Sequence, residues 1–285
     1  MSTVTTLDKI NVSPLPAPFA TDAPKRLADY HTHTEASPDS KENIFNVCAA
    51  AVKAGLSEIC ITDHFDCGYK ECRDVIAASY ALIERAALEF EPVLKVKRGA
   101  EVGEATQNHD DERFLLDNYK FDCLLGSMHN IRGNVDFYHM DVLPDPEGMI
   151  KMYFEELIEM CETCDFDVVA HLTYPLRYKA FHGIKDLSIY DKEITRIFRL
   201  AVDSGKALEI NTGGVRNNGY RLTDPWADLV RLYKSFGGEM ITIGSDAHTA
   251  DTVAADFDTA VAVAKAAGFT HYTVYNDRKP ELVEF

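Results

Sequence analysis

The chain is short of basic residues, of long apolar runs and of any glycine-rich phosphate loop, and each shortage removes a class of function. Lysine and arginine total 29 against 46 acidic residues, a formal charge of −17. A nucleic-acid groove needs a basic stripe, so a nucleic-acid partner is disfavoured. A small anionic substrate stays open, because bound cations set the local field inside a site while net charge acts at long range. No apolar run approaches the length that spans a bilayer, which argues against a membrane partner. Residues 1–26 contain no apolar signal core, so a cytoplasmic location is expected. A GxGxxG turn after the first strand is missing, which weighs against a dinucleotide-binding fold. The seven cysteines, at 48, 60, 67, 72, 123, 161 and 164, are odd in number and scattered. They read as free thiols of a reducing compartment. Cys161 and Cys164 form a CETC pair with no second pair and no histidine near them in sequence, so they read as ordinary helix residues.

What is present is a long alternation of strand and helix patterns. Residues 1–26, rich in Thr, Pro and Ala and without a period, read as an N-terminal extension. Residues 27–285 then read as one domain. Strands are expected at Leu27–His31, Glu58–Asp63, Lys97–Val102, Cys123–Ser127, Asp167–His171, Ala207–Asn211, Met240–Ser245 and His271–Tyr275. Helical periodicity falls at Lys41–Ala54, Arg73–Phe90, Glu112–Tyr119, Glu147–Thr163, Leu187–Ser204, Trp226–Phe236 and Val253–Ala267. Several of these helices stop at a glycine, as in AAAVKAGLSEICIT and AVDSGKALEI. Seven strand–helix units and a last strand predict a parallel α/β barrel, with an open doubly wound sheet as the alternative.

Polar residues with ligand chemistry collect at the ends of those strands. His31 and His33, in DYHTHTEASPDS, are two apart and share a side of the first strand. Asp39 follows in the loop. Asp63 and His64 end the second strand, Glu101 the third, His129 the fourth, His171 the fifth, and Asp246 with His248 the seventh. In a barrel all these ends open onto one face, so residues far apart in sequence converge. Six of the ten histidines fall in this position; His109, His139, His182 and His271 do not, and read as surface or substrate-loop residues. Each position alone has a plainer reading. A lone strand-end histidine can be structural, Asp63 can cap its loop, and Glu101 can pair with Arg98 or Arg113.

Taken together, the spaced motifs HTH, TDH, GAE, GSMH, AH, LEINTGG and GSDAH resemble the polymerase-and-histidinol-phosphatase (PHP) family of metal-dependent phosphoesterases, and within it the histidinol-phosphate phosphatases. The resemblance covers about residues 29–278. It implies a distorted seven-stranded (βα)7 barrel with three divalent metal ions. By that resemblance His31, His33, Glu101 and Asp246 hold the first ion, and Glu101 bridges to a second held also by His129 and His171. Asp39, His64 and His248 hold the third. Asp39 stands where some members have a histidine, but an aspartate is usual in the histidinol-phosphatase branch. A His/Asp/Glu set without thiolate suits Zn, Mn or Fe and does not choose among them.

Such a cluster matches what phosphomonoester hydrolysis requires: neutralised phosphoryl oxygens, an activated water and help for the leaving alkoxide. A hydroxide bridging the first two ions is the expected nucleophile. Asp63 is the candidate general acid, with orientation of His64 as its alternative role. Arg177 and Arg216 lie in the loops after the fifth and sixth strands. Their planar forks match phosphate geometry, and the resemblance supports both as phosphate contacts. Asn211 with Gly213 and Gly214 allows a tight turn beside the ligand. Asp136, His139, His109 and Asp110 occupy loops from which acidic groups can receive the ammonium of an amino alcohol such as L-histidinol. The resemblance implies a small phosphorylated substrate, L-histidinol phosphate, in histidine biosynthesis. Other readings are a nucleotide or sugar phosphate, an amidohydrolase reaction, a polymerase accessory domain, or metal binding without catalysis.

Overall fold

The computed structural model describes residues 27–140, 143–184, 186–216 and 225–285, with the side chains of 215, 216, 225 and 226 left aside. The N-terminal extension and the Arg216 side chain thus lie outside the described residues. The strands are β1 Ala28–Thr32, β2 Glu58–Ile61, β3 His64–Asp66, β4 Lys95–Gly103, β5 Cys123–Ser127, β6 Val168–Val169, β7 Ala207–Asn211 and β8 Ile241–Gly244, then β9 His271–Asn276 and β10 Lys279–Glu284. Helices are α1 Ile44–Lys53, α2 Cys72–Phe90, α3 His109–Asn118, α4 Pro146–Thr163, α5 Asp191–Asp203, α6 Gly213–Arg216, α7 Pro225–Ser235 and α8 Phe257–Ala266.

All neighbours along the path β1-β2-β4-β5-β6-β7-β8 are parallel. The two ends of that path then meet. The Asp246 amide donates to the His31 carbonyl at 2.8 Å, and the His33 amide donates to Ala247 at 2.8 Å. This nearly closed barrel of seven positions is the architecture expected, and the open-sheet alternative is excluded by the β1–β8 contact. Its distortion is visible at β6, which is two residues long, and at the second position, where the strand is interrupted after Ile61. There β3 resumes beside the same partner, pairing His64 with Glu101.

Helix boundaries follow their caps. Asn43 accepts from the Phe45 amide and starts α1 three residues later than the apolar pattern suggested. Asp145 caps α4 with Pro146 in its first turn. In α5 the buried Ile194, Ile197, Phe198 and Ala201 follow helical spacing and face the sheet core. Among the described residues no helix is long and apolar enough to cross a membrane.

One expected strand changes role. His271–Tyr275 does not join the barrel; it pairs antiparallel with β10 as a separate hairpin. Asp277 and Arg278 at its tip have φ of 47° and 61°, the left-handed pair of a two-residue type I′ turn. Neither is glycine, so the turn is strained, and anchors offset that cost. Arg278 Nε donates to Asp167 at 2.9 Å, its Nη2 donates to Asp165 at 2.8 Å, and its amide donates to the Asp122 carbonyl at 2.9 Å. The Tyr275 amide donates to Tyr30 Oη at 2.6 Å. An alternating run such as HYTVYN reads the same in a barrel or a hairpin, and only tertiary anchors separate the two.

Candidate metal centre

Glu101, on β4 and 1 % exposed, is the hub of the strand ends. Its Oε1 lies 2.7 Å from His171 Nε2 and 3.0 Å from His129 Nε2. Its Oε2 lies 3.2 Å from His31 Nε2, 3.4 Å from His33 Nε2 and 3.2 Å from His64 Nδ1. One carboxylate thus divides its two oxygens between two sets of imidazoles. Asp246 Oδ1 faces His31 and His33 at 3.6 and 3.5 Å. Asp39 Oδ2 sits 2.8 Å from His248 Nε2 and 3.4 Å from His64 Nε2, while the His33 ring stacks on both of those imidazoles. All nine expected ligands therefore come together. Arg98 and Arg113, offered as partners of Glu101, pair instead with Asp122 and Asp110.

Close backbone approach makes this packing possible. A Cβ on Gly213 would stand 2.8 Å from the Asp246 Cβ, and one on Gly244 would stand 2.2 Å from Glu209 Oε1. Asp246 itself adopts φ 54°, an unusual conformation for aspartate, held by its amide bond across the barrel seam.

Electrostatics favour cations here. Burial alone would raise the Glu101 carboxyl, but His31, His64 and His129 hold it well below its usual range. Burial likewise opposes ionisation of Asp246, and His31 and Arg177 overcome it. Burial pushes His33 down to about 4, helped by His248 and His64. The donors fit a metal group on a direct test. His31 Nε2, His33 Nε2, His64 Nδ1 and Glu101 Oε2 are buried with no hydrogen-bond partner among the described residues, and they converge on one another. Buried polar atoms are rarely left so unless something else satisfies them. Nitrogen and oxygen donors of this kind suit Zn, Mn or Fe.

Beside the cluster opens a cavity of about 220 Å³, lined among others by His64, His129, Tyr174, Arg177, Tyr178 and His248. Arg177 is buried, stacks over the Tyr174 ring at 5.0 Å, and donates from Nη1 to Asp246 at 2.8 Å and from Nη2 to Asn211 at 2.9 Å. Asp136 touches the same wall, accepting from Tyr174 Oη at 3.3 Å. His109, Asp110 and His139, named with it as leaving-group contacts, do not line the cavity. His109 turns instead to Glu112 at 3.0 Å.

Asp63, the candidate general acid, is placed behind the cluster. It is fully buried and does not line the cavity. Its Oδ1 accepts from the Thr34 amide at 2.6 Å and Ser37 Oγ at 2.9 Å; its Oδ2 accepts from Thr34 Oγ1 at 2.8 Å and Ser79 Oγ at 2.6 Å. Its four contacts all come from the loop after β1 and from α2, which places it in the supporting role that was its alternative rather than facing a leaving group. Ser37 also accepts from the His64 amide and contacts His33 Nδ1, each at 3.1 Å, so Asp63 fixes the loop that carries both imidazoles. Asp63→Asn should cost about 3 kcal/mol in urea unfolding, because an amide group would face hydroxyl and amide donors. An unchanged unfolding midpoint together with loss of only the alkaline limb of the rate profile would restore the acid role.

Glu209 was missed. It is fully buried on β7, with Oε1 2.7 Å from His31 Nδ1 and Oε2 accepting from the His171 amide at 2.6 Å. Such a carboxylate behind a histidine fixes its tautomer and the direction of its other nitrogen. The signal was present in LEIN: period-two alternation sends Glu209 and Asn211 to one side of the strand and Leu208 and Ile210 to the other. Glu209→Gln should weaken metal retention about 10- to 100-fold in competition with a chelator; wild-type resistance to the chelator would refute that positioning role.

The PHP domain family matches residues 29–213. A protein named "Probable histidinol-phosphatase" from Clostridium acetobutylicum is 32% identical over 244 residues, covering 83% of this chain and 92% of that protein. The histidinol-phosphatase of Lactococcus lactis is 28% identical, over 88% of this chain and 95% of its own. A crystal structure of a Lactococcus lactis histidinol phosphate phosphatase, complexed with Zn, L-histidinol and phosphate, superposes with a TM-score of 0.74 at 25% identity, covering 90% of this chain and 99% of that one. With that fold, that coverage and a matching cluster of ligand-type side chains, the chain belongs to the PHP domain family and is a metal-dependent phosphatase.

Proposed function

We propose that the enzyme hydrolyses L-histidinol phosphate to L-histidinol and phosphate, a step of histidine biosynthesis, in the cytoplasm. The observation that carries the catalytic part is the division of the Glu101 oxygens between two imidazole sets beside Arg177 in one small cavity. In this reading three divalent ions are held: one by His31, His33, Glu101 and Asp246, one by Glu101, His129 and His171, and one by Asp39, His64 and His248. Bound there, they supply Lewis-acid charge for the phosphoryl oxygens and activate water.

The protein's own groups do the rest. Glu101 and Asp246 stay ionised in a buried place and fix the positions of five imidazoles. Glu209 and Ser37 hold His31 and His33 through their Nδ1 atoms, turning Nε2 toward the cluster. Arg177 carries a positive charge at the cavity wall, where phosphoryl oxygens gain charge during transfer. Arg216 is proposed as its companion from the loop after β7. Tyr174 and Tyr178 give the leaving group an aromatic wall, with Asp136 behind it for an ammonium. The relative crystallised with L-histidinol and phosphate supports this substrate, as does a cavity sized for a small monoester. Seven free, buried cysteines suit a reducing compartment.

Phosphate release from L-histidinol phosphate, AMP and simple sugar phosphates by metal-loaded enzyme tests the substrate. A clear preference in kcat/KM for L-histidinol phosphate is expected. Equal rates on neutral sugar phosphates would refute the amino-alcohol reading, while leaving the phosphatase centre in place.

A further inference from the structure

We propose that His109, Glu112 and Cys164 form a second, thiolate-containing site for a divalent cation of zinc-like softness, apart from the centre at the barrel mouth. One ligand atom from each of the three lies within 4.8 Å of the others. His109 and Glu112 stand one turn apart at the start of α3, so they share a face. Cys164 closes α4 from the opposite side. The Glu112 carboxylate is nearly buried and already aimed: Oε1 accepts from the Asp165 amide at 2.7 Å, and Oε2 meets His109 Nδ1 at 3.0 Å. Among the described residues the Cys164 sulfur has a long contact, 3.6 Å, to Thr163 Oγ1. Imidazole, carboxylate and thiolate are a zinc-type donor set, and three protein ligands leave a fourth position for water.

The surroundings favour a cation. Asp117, Glu162 and Asp165 line the same groove with Arg113; Glu162 is paired with Arg196 and Asp165 with Arg278, so the favourable charge rests on Asp117 and Glu112. Burial pushes the Cys164 thiol up to about 11, so an ion must displace a proton to bind, and affinity should rise with pH. The neighbouring Cys161, which shares the CETC motif, is not in the group. In this proposal the histidine partner of Cys164 comes from another helix, α3. An ion here would tie the start of α3, which follows the strand of Glu101, to the turn leading into the strand before His171. It would brace two arms of the metal centre from outside.

Sulfur makes the site separable from the main one, whose donors are all nitrogen and oxygen. The full chain, holding its native metals, is titrated with Co2+ and followed for thiolate-to-cobalt charge-transfer absorption in the near ultraviolet. A band saturating at one equivalent is expected, with phosphate release unchanged. Cys164→Ser should abolish the band, His109→Gln should weaken binding about tenfold or more, and Cys161→Ser should leave it intact. Absence of the band in the wild-type protein, or its survival in Cys164→Ser, overturns the proposal. Loss of the band in Cys161→Ser alone would move the ligand to the wrong cysteine and overturn it as well. None of these results bears on the phosphatase reading, which uses neither cysteine.

Discussion

Glu101→Gln is expected to lower kcat/KM for phosphate release by about three orders of magnitude and to remove bound metal from the protein. The size follows from the environment. Five imidazole nitrogens lie between 2.7 and 3.4 Å from its two oxygens, and no water-exposed surface is left to relax into. Three decades in rate are about 4 kcal/mol of transition-state stabilisation, within the several kcal/mol that metal-supplied charge contributes. Glutamine preserves shape, so packing is retained, but its neutral amide removes the negative charge and one of the two anionic oxygens that the reading gives to the metal ions. Metal content per chain, measured after gel filtration, should fall together with turnover, while the far-ultraviolet circular dichroism stays native. Wild-type metal content with wild-type turnover would remove Glu101 from the centre of the reading. Retained metal with lost turnover would show that Glu101 serves the reaction without holding the cluster.

The convergence at Glu101 was legible in the sequence because barrel topology does the work that local spacing cannot. HTH alone says little. Once TDH, GAE, GSMH, AH and GSDAH are each placed after a strand, parallel order brings them to one face, and the structure links His31, His33, His64, Glu101, His129, His171, Asp246 and His248 in one chain of overlapping contacts. Three things were not legible. Asp63 sits next to a ligand in sequence, yet its four donors come from Thr34, Ser37 and Ser79, a grouping that exists only after β1, its loop and α2 have packed. The hairpin β9–β10 has the alternation of a barrel strand, and its separate fate depends on Arg278 reaching Asp165 and Asp167. His109 and Cys164 are far apart in sequence, with β5 and α4 between them, and come close only when the C-terminal end of α4 returns to the start of α3. In each case the missing information is a side-chain contact between elements, which neither periodicity nor motif spacing encodes.

Arg177→Ala should lower kcat/KM by about 10²- to 10³-fold, the usual effect of removing one preorganised donor for developing charge, while metal content stays close to wild type. Arg177 is 7 % exposed, and its guanidinium is held on three sides, by Asp246, Asn211 and the Tyr174 ring. Its position is therefore set before substrate arrives, and no reorganisation is spent on placing it. The same rigidity predicts that Arg177→Lys rescues little. A lysine ammonium is a single point charge that cannot bridge Asp246 and Asn211 at once, so it would collapse onto Asp246 or withdraw from the wall. Inhibition by inorganic phosphate gives the second readout: both variants should need markedly more phosphate for half inhibition, because product and transition state share the same oxygens. This separates Arg177 from Glu101, whose loss takes metal with it. If Arg177→Ala kept kcat/KM within about twofold and bound phosphate as before, the guanidinium would be only a structural counter-charge for Asp246, and the phosphate clamp would have to come from elsewhere in the loops around the cavity.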